Sequence, residues 1–167
     1  MKKENVLIMG CSSAPGTGGG ISSYSTTLAQ GFKKIGWDVY YVCPIAESEE
    51  WLLDCTDGYH LIDLTKDAVF EVFRLSDFID AMHVTAIINN DNPYLQSLAP
   101  LSRCPFISIG HSEKNSIQAM ACFQYEYLDY IVAISNDMRD YFVNRYNVPT
   151  TKVVQLSNGL DLSLIHI

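Results

Sequence analysis

Three features of the sequence predict a doubly wound α/β fold, a parallel sheet with helices on both faces. Val6-Leu7-Ile8-Met9 is a continuous apolar run, the form of a strand covered on both sides. Strand-like runs of this kind alternate with stretches of helical periodicity through short connections, without internal repeat. The 167 residues, 48% hydrophobic and 18% charged, supply one core and hence one domain. Six or seven strands are expected, with Val6 to Met9 and Ile107 to Ile109 near the centre of the sheet.

Each element has a local reason. After the first strand and Gly10, a loop from Cys11 to Gly20 holds Pro15 and four glycines. Tyr24, Leu28, Phe32 and Ile35 then recur at helical spacing. Lys33 and Lys34 complement the dipole in that helix's last turn, and Gly36 can take the left-handed conformation that closes it. Val39 to Cys43 reads as the second strand, stopped by Pro44. Tyr59 to Leu64 reads as a third strand and Asp67 to Met82 as a helix. Val84 to Ile88 follows as a fourth strand and Pro93 to Leu101 as a short helix. Pro105 to Ile109 forms a fifth strand ending at Gly110-His111, and Asn115 to Leu128 is helical. Tyr130 to Ile134 is a sixth strand. Ser135 at its exit can cap a helix whose buried stripe would be Met138, Tyr141, Phe142, the Arg145 stem and Tyr146. Val148-Pro149 ends that helix, and Lys152 to Leu156 is a last short strand before Ser157-Asn158-Gly159.

Composition excludes several functions. Eleven Lys and Arg against nineteen Asp and Glu give a net charge of −8, which repels phosphodiester backbones, so no nucleic-acid partner is expected. The five cysteines, Cys11, Cys43, Cys55, Cys104 and Cys122, contain no C-x-x-C pair and spell neither a disulfide framework nor a zinc site; a cytoplasmic location is expected. The apolar run at the amino terminus is too short for a signal-peptide core, and no window approaches the roughly 20 apolar residues of a spanning helix.

In a doubly wound sheet ligands bind beyond the carboxyl ends of the strands. That edge would hold the loop Gly10 to Gly20, Asn89 to Asn92, Gly110 to Glu113, and Ser135. The glycine loop offers backbone amides and a helix amino terminus to an anion. It is not a dinucleotide fingerprint, since Gly16-Thr17-Gly18-Gly19-Gly20-Ile21 lacks the last glycine and no acid ends the second strand. Gly20-Ile21-Ser22 is not the Gly-Lys-Ser/Thr of a P-loop either. Alternatively, the glycines serve only to let the first helix pack close to the sheet. His111, directly after a buried strand, can exchange hydrogen bonds in the cleft or simply tie down its own loop. His60, His83 and His166 share no ligand spacing with it, so no metal site is expected. Asp57, Asp63, Asp67, Asp77, Asp80 and Asp91 are scattered and read as solvated faces or helix caps.

Several motifs then fall in a familiar order. Gly18-Gly19-Gly20-Ile21, Leu28-Ala29, Gly36-Trp37-Asp38-Val39 and Cys43-Pro44 resemble the opening of glycosyltransferase family 4, with Trp37 in place of the usual His. Pro105-Phe106-Ile107-Ser108-Ile109-Gly110-His111 resembles that family's strand ending in a cleft histidine, and Asp129 to Ser135 its strand ending in Ser. Lys152 to Asp161, through Asn158-Gly159-Leu160-Asp161, is similar to its N-G-V-D element. The resemblance implies the Rossmann-like amino-terminal domain of a GT-B architecture over residues 1–157, with 158–167 opening the interdomain linker and the carboxyl-terminal donor domain absent.

It further implies retaining transfer from a nucleotide-diphosphate sugar to an unknown acceptor, without cofactor or metal, and no turnover by this chain alone. His111 would be the catalytic residue; Gly18, Gly19, Gly20, Glu113 and Ser135 would bind substrate. An exposed cleft wall near Tyr94 to Leu101 would favour self-association to a homo-oligomer. Two other readings stay open: a non-catalytic partner subunit completing a site in trans, and a flavodoxin-like protein whose Ser12-Ser13-Ala14-Pro15-Gly16-Thr17 loop holds FMN.

Overall fold

The computed structural model describes residues 5–17, 19–44, 51–54, 60–64, 68–112 and 114–157. Gly18, Glu113 and the linker segment 158–167 lie outside them. Among the described residues eight strands form one sheet: β1 (Asn5–Cys11), β2 (Trp37–Cys43), β3 (Leu52–Asp54), β4 (His60–Asp63), β5 (Ala86–Asn90), β6 (Phe106–Gly110), β7 (Tyr130–Ala133) and β8 (Val153–Gln155). Their spatial order is β3-β4-β2-β1-β5-β6-β7-β8, and every pairing is parallel except β3 with β4. The helices are α1 (Gly20–Lys34), α2 (Ala68–Ala81), α3 (Pro93–Gln96), α4 (Asn115–Cys122) and α5 (Asn136–Tyr146). The doubly wound prediction holds. β1 and β6 are each paired on both sides, and Val6 to Met9 are buried, whereas Ile107 is only partly covered.

Side-chain alternation along the strands builds two cores. Val6, Ile8, Tyr40, Val42, Ile87, Phe106 and Ile131 face Leu75 of α2, Leu95 of α3, Cys122 of α4 and Phe142 of α5. Leu7, Met9, Val39, Tyr41 and Ile109 face the other way, toward α1. Right-handed crossovers explain the division: the chain leaves β1 in one direction through α1 to β2, then returns across the sheet through α2 to β5 and continues outward to β8. Strand order therefore reverses between β1 and β5, which opens a crevice at their carboxyl ends.

Local structure departs from the sequence pattern at several points. The buried stripe of α1 is Ser22, Ser25 and Ala29, not its large apolar residues. Leu28 and Phe32 pack at the flank, and Ile35 is 71% exposed. Small residues bring this helix close to the sheet, and the Ser25 hydroxyl is satisfied by the Ile21 carbonyl at 2.8 Å. Arg145 of α5 is exposed; Met138 and Phe142 carry that stripe, with Tyr141 and Tyr146 partly covered.

The expected helix 93–101 divides into α3 and a 3₁₀ turn, Ala99–Leu101, with Pro100 unable to donate to a continuing helix. The segment from Tyr94 to Leu101, expected as exposed cleft wall, is instead largely core. Leu95, Leu98 and Ala99 are buried under α2, leaving Leu101 as its exposed large apolar side chain. The helix expected to run to Leu128 stops at Cys122. Phe123 is extended and Gln124 left-handed (φ 57), and the chain re-forms as a 3₁₀ turn, Tyr125–Tyr127. Lys152 closes this turn, its ammonium donating to the carbonyls of Tyr125, Glu126 and Leu128 at 3.0, 2.8 and 2.7 Å.

Strand β3 has no counterpart in the sequence reading. His60 helps to hold it: Nδ1 meets Asp54 Oδ1 at 2.6 Å, Nε2 meets Asp38 Oδ1 at 3.3 Å, and the ring stacks on Tyr40.

Candidate functional site

The crevice is built from the loop after β1, the end of β5 and the residues following β6. Gly16 and Gly19 have φ of 77° and 95°, a region that disfavours other residues. Thr17 Oγ1 and Ser22 Oγ both donate to the Ala14 carbonyl, at 2.7 and 2.8 Å, and this ties the loop to the first turn of α1. A Cβ added at Gly16, Gly19 or Gly20 would touch nothing within 4 Å, so close packing of helix on sheet is not what these glycines provide. Gly19 stands at the N-cap of α1, where among the described residues no side chain caps the first turn and no acid occupies it. The first amides of α1 are left for a ligand or water.

Opposite this helix end, four amide side chains are fully buried: Asn89, Asn90, Asn92 and Gln96. Asn92 caps α3 by accepting from the Leu95 amide at 3.0 Å. Its Nδ2 donates to the carbonyls of Cys11 and Val42, at 3.0 and 3.2 Å, and so joins the ends of β1 and β2. Asn89 Nδ2 donates to Gln96 Oε1 at 2.7 Å, and Gln96 Nε2 to the Phe123 carbonyl at 2.7 Å. Satisfied in this way, buried amides rigidify the crevice.

His111 follows β6. Its Nε2 lies 2.7 Å from Asn90 Oδ1, and its ring meets Tyr24 of α1 edge-on with centroids 4.4 Å apart. Burial pushes the imidazole pKa down from 6.5 to about 4, so the ring is neutral at pH 7. At the end of β5, burial also raises the Asp91 carboxyl, partly offset by a hydrogen bond with Ser12; Asp91 is left-handed, with φ of 64°. A cavity of about 320 Å³ is lined by Gly20, Ile21, His111, Ser112, Lys114 and Ile117.

Of the expected site residues, Gly19, Gly20 and His111 meet at this crevice. Ser135 is occupied as the cap of α5, its oxygen accepting from the Met138 amide at 3.1 Å. Gly18 and Glu113 lie outside the described residues. Lys114 was not singled out in the sequence, and Asn90 only as part of the stretch Asn89 to Asn92 at the ligand edge. The polar ending of β5 after three apolar residues marks Asn90, and Lys114 sits three residues beyond the histidine. Among the described residues no group of three His, Cys, Asp or Glu is placed to hold a metal.

The histidine's depressed pKa has a measurable consequence. Below pH 6.5 the unfolded chain binds the proton more readily than the native one, so stability is fully present above pH 6.5 and falls until about pH 4. The loss approaches roughly 3 kcal/mol at 1.36 kcal/mol per unit. Urea titrations at pH 7 and pH 4.5 should show a smaller drop in His111→Gln than in the unaltered protein. Equal drops would mean the ring titrates freely.

Fold and crevice together define a Rossmann-like α/β domain with its site at the switch point of the sheet. The model of Glycosyltransferase Family 4 matches residues 18–164, and the chain belongs to that family. The crystal structure of a glycosyltransferase from Rickettsia africae ESF-5 superposes with a TM-score of 0.70 at 13% identity, covering 98% of this chain and 46% of that one. A sucrose-phosphate synthase from Thermosynechococcus elongatus superposes with a TM-score of 0.66 at 12% identity, covering 95% of this chain and 90% of that one. This chain thus spans about half the length of the Rickettsia africae protein. No curated protein sequence matches it. Among the described residues no helix is long and apolar enough to cross a membrane.

Proposed function

We propose that the chain forms the amino-terminal, acceptor-side half of a retaining glycosyltransferase that takes its sugar from a nucleotide-diphosphate donor. The observation that carries this reading is the shared cavity of the α1 amino terminus, Lys114 and His111. Uncapped amides and the positive end of the helix favour an anion, and Lys114 adds a cation in a chain of net charge −8. Gly19 and Gly20 let the backbone approach a diphosphate; Gly18 adjoins them in sequence, and Glu113 adjoins Lys114. A neutral, half-buried imidazole is suited to a hydrogen bond with an uncharged sugar rather than to an ion pair with phosphate.

As the glycosidic bond to the donor breaks, negative charge grows on the leaving diphosphate, and the helix end and basic groups offset it; this reading calls for no metal. The second wall of the cleft and most nucleotide contacts belong to a second GT-B domain. The reading places the protein in the cytoplasm, in keeping with the free thiols of Cys11, Cys104 and Cys122.

The purified 167-residue chain, supplied with a panel of nucleotide-diphosphate sugars and acceptors, should release no nucleoside diphosphate above background. Turnover should appear on addition of a complementing carboxyl-terminal domain. Sustained sugar transfer by the chain alone, with contaminating enzyme excluded, would overturn this division of labour.

A further inference from the structure

We propose that Asn90 is a positioning residue that holds His111 in its Nε2–H tautomer and so makes the remaining nitrogen, Nδ1, a hydrogen-bond acceptor that selects a hydroxyl of the bound sugar. The selection of a sugar hydroxyl rests on the transferase reading above; the tautomer does not.

The argument runs through the neighbours of one amide. Asn90 is fully buried at the end of β5, with its two polar atoms facing different partners. Nδ2 points at Met9 Sδ, 3.1 Å away on the adjacent strand, and Oδ1 at His111 Nε2, 2.7 Å away. A thioether sulfur can only accept, so the amide N–H belongs on its side and the carbonyl oxygen on the histidine's side. Turning the amide over would set a carbonyl oxygen against sulfur with no proton between them. The oxygen facing Nε2 therefore needs a donor, and a neutral ring can supply one only by carrying its proton there. Protonation of both nitrogens is opposed by burial, which holds the pKa at about 4.

Nδ1 has no hydrogen-bond partner among the described residues, nor is it a sealed, unsatisfied atom. It is the nitrogen left for whatever enters the cavity. The groups around the ring leave its state unchanged at pH 7: Tyr24 is a neutral phenol whose pKa burial raises further above its ordinary value of 10, Asp91 follows Asn90 just beyond β5, and Lys114 lines the same cavity. A lone pair at Nδ1 accepts from a hydroxyl and repels a fully ionised phosphate oxygen. The crevice thus divides its ligand, with anionic oxygens toward the amides of Gly20 and Ile21 and a neutral hydroxyl toward His111.

The test is the tautomer itself, read from long-range ¹H–¹⁵N correlations of the ¹⁵N-histidine-labelled chain at pH 7, with the His111 signals assigned by their loss in His111→Gln. The Nε2–H form should exceed the Nδ1–H form by about tenfold or more, the ratio that one net hydrogen bond of ordinary strength supports. Asn90→Asp, which still accepts, should keep that tautomer and raise the His111 titration midpoint by a unit or more. Folded Asn90→Leu should show a mixture.

Adding inorganic phosphate should move the Gly20 and Ile21 amide resonances and leave the His111 tautomer in place. An Nδ1–H ring in the unaltered protein, an unmoved midpoint in Asn90→Asp, or a second proton taken up by His111 with phosphate would each overturn the proposal. None of these readouts needs a sugar or turnover. Failure of the transferase reading would appear separately, as absence of transfer in the presence of a complementing domain while the tautomer persists.

Discussion

Gly10→Ala should cost the fold about 3 kcal/mol, the sum of an overpacked core and a disturbed buried amide. A Cβ at this position would lie 2.5 Å from Leu95 Cδ2, 2.6 Å from Asn89 Oδ1 and 3.2 Å from Asn92 Cβ. Leu95 is fully buried and has no space to retreat into. Asn89 Oδ1 accepts from the Asn92 amide at 3.1 Å while its Nδ2 holds the Asn92 carbonyl and Gln96. Relief of the clash must therefore pull apart buried hydrogen bonds. Gly20→Ala is the control, because a Cβ there meets nothing within 4 Å and φ is not positive. Chemical denaturation of the two variants should separate them by several kcal/mol. A Gly10→Ala protein within 0.5 kcal/mol of the unaltered one would show that the network yields.

His111→Ala, placed in a two-domain protein that carries this domain, should lower turnover on the order of 10²-fold or more, the scale of a preorganised hydrogen bond that strengthens as charge develops on the sugar. Stability at pH 7 should fall far less, by about 1 kcal/mol, because Asn90 Oδ1 loses its donor but water entering the cavity can replace it. His111→Asn, which retains an acceptor, should keep more activity than the alanine variant. Steady-state kinetics beside thermal melting decide the matter: a folded, fully active His111→Ala protein removes the ring from the chemistry, and an unfolded one makes it an anchor of its loop.

Much of the architecture was legible because it depends on local signals. The apolar run Val6 to Met9, Gly36 after Lys33-Lys34 and Ser135 before α5 each act within a few residues, and all three are found as read; Gly36 has φ of 88°. His111 could be placed at the ligand edge because its strand ends one residue earlier. Asn89 to Asn92 could be placed there too, but the pairing of Asn90 with the histidine could not be read. Asn90 lies 21 residues away, and the contact depends on how β5 and β6 are registered, with Asn89 opposite Ser108.

Helical spacing drew attention to Tyr24, Leu28 and Phe32 of α1 and to Ile35 just after it, whereas the buried seam consists of the small residues Ser22, Ser25 and Ala29. Tyr24 is instead engaged against the histidine ring. Strand β3 is three residues long, too short for an alternation to be seen, and its Asp54 is held by His60, which also meets Asp38 on β2.

The seam between β1 and β5 also has a consequence in time. Within the half formed by β5 to β8, each strand pairs with the next one along the chain, but joining β5 to β1 brings together residues 79 to 81 positions apart. Closing a longer loop costs more entropy before any contact repays it, and such pairings form slowly. The ligand crevice lies on that seam and draws on both halves at once: Met9, Cys11 and the glycine turn from one, Asn90, Asn92 and His111 from the other. Its parts can each be native while the site does not yet exist. The crevice is therefore expected to be completed late in folding.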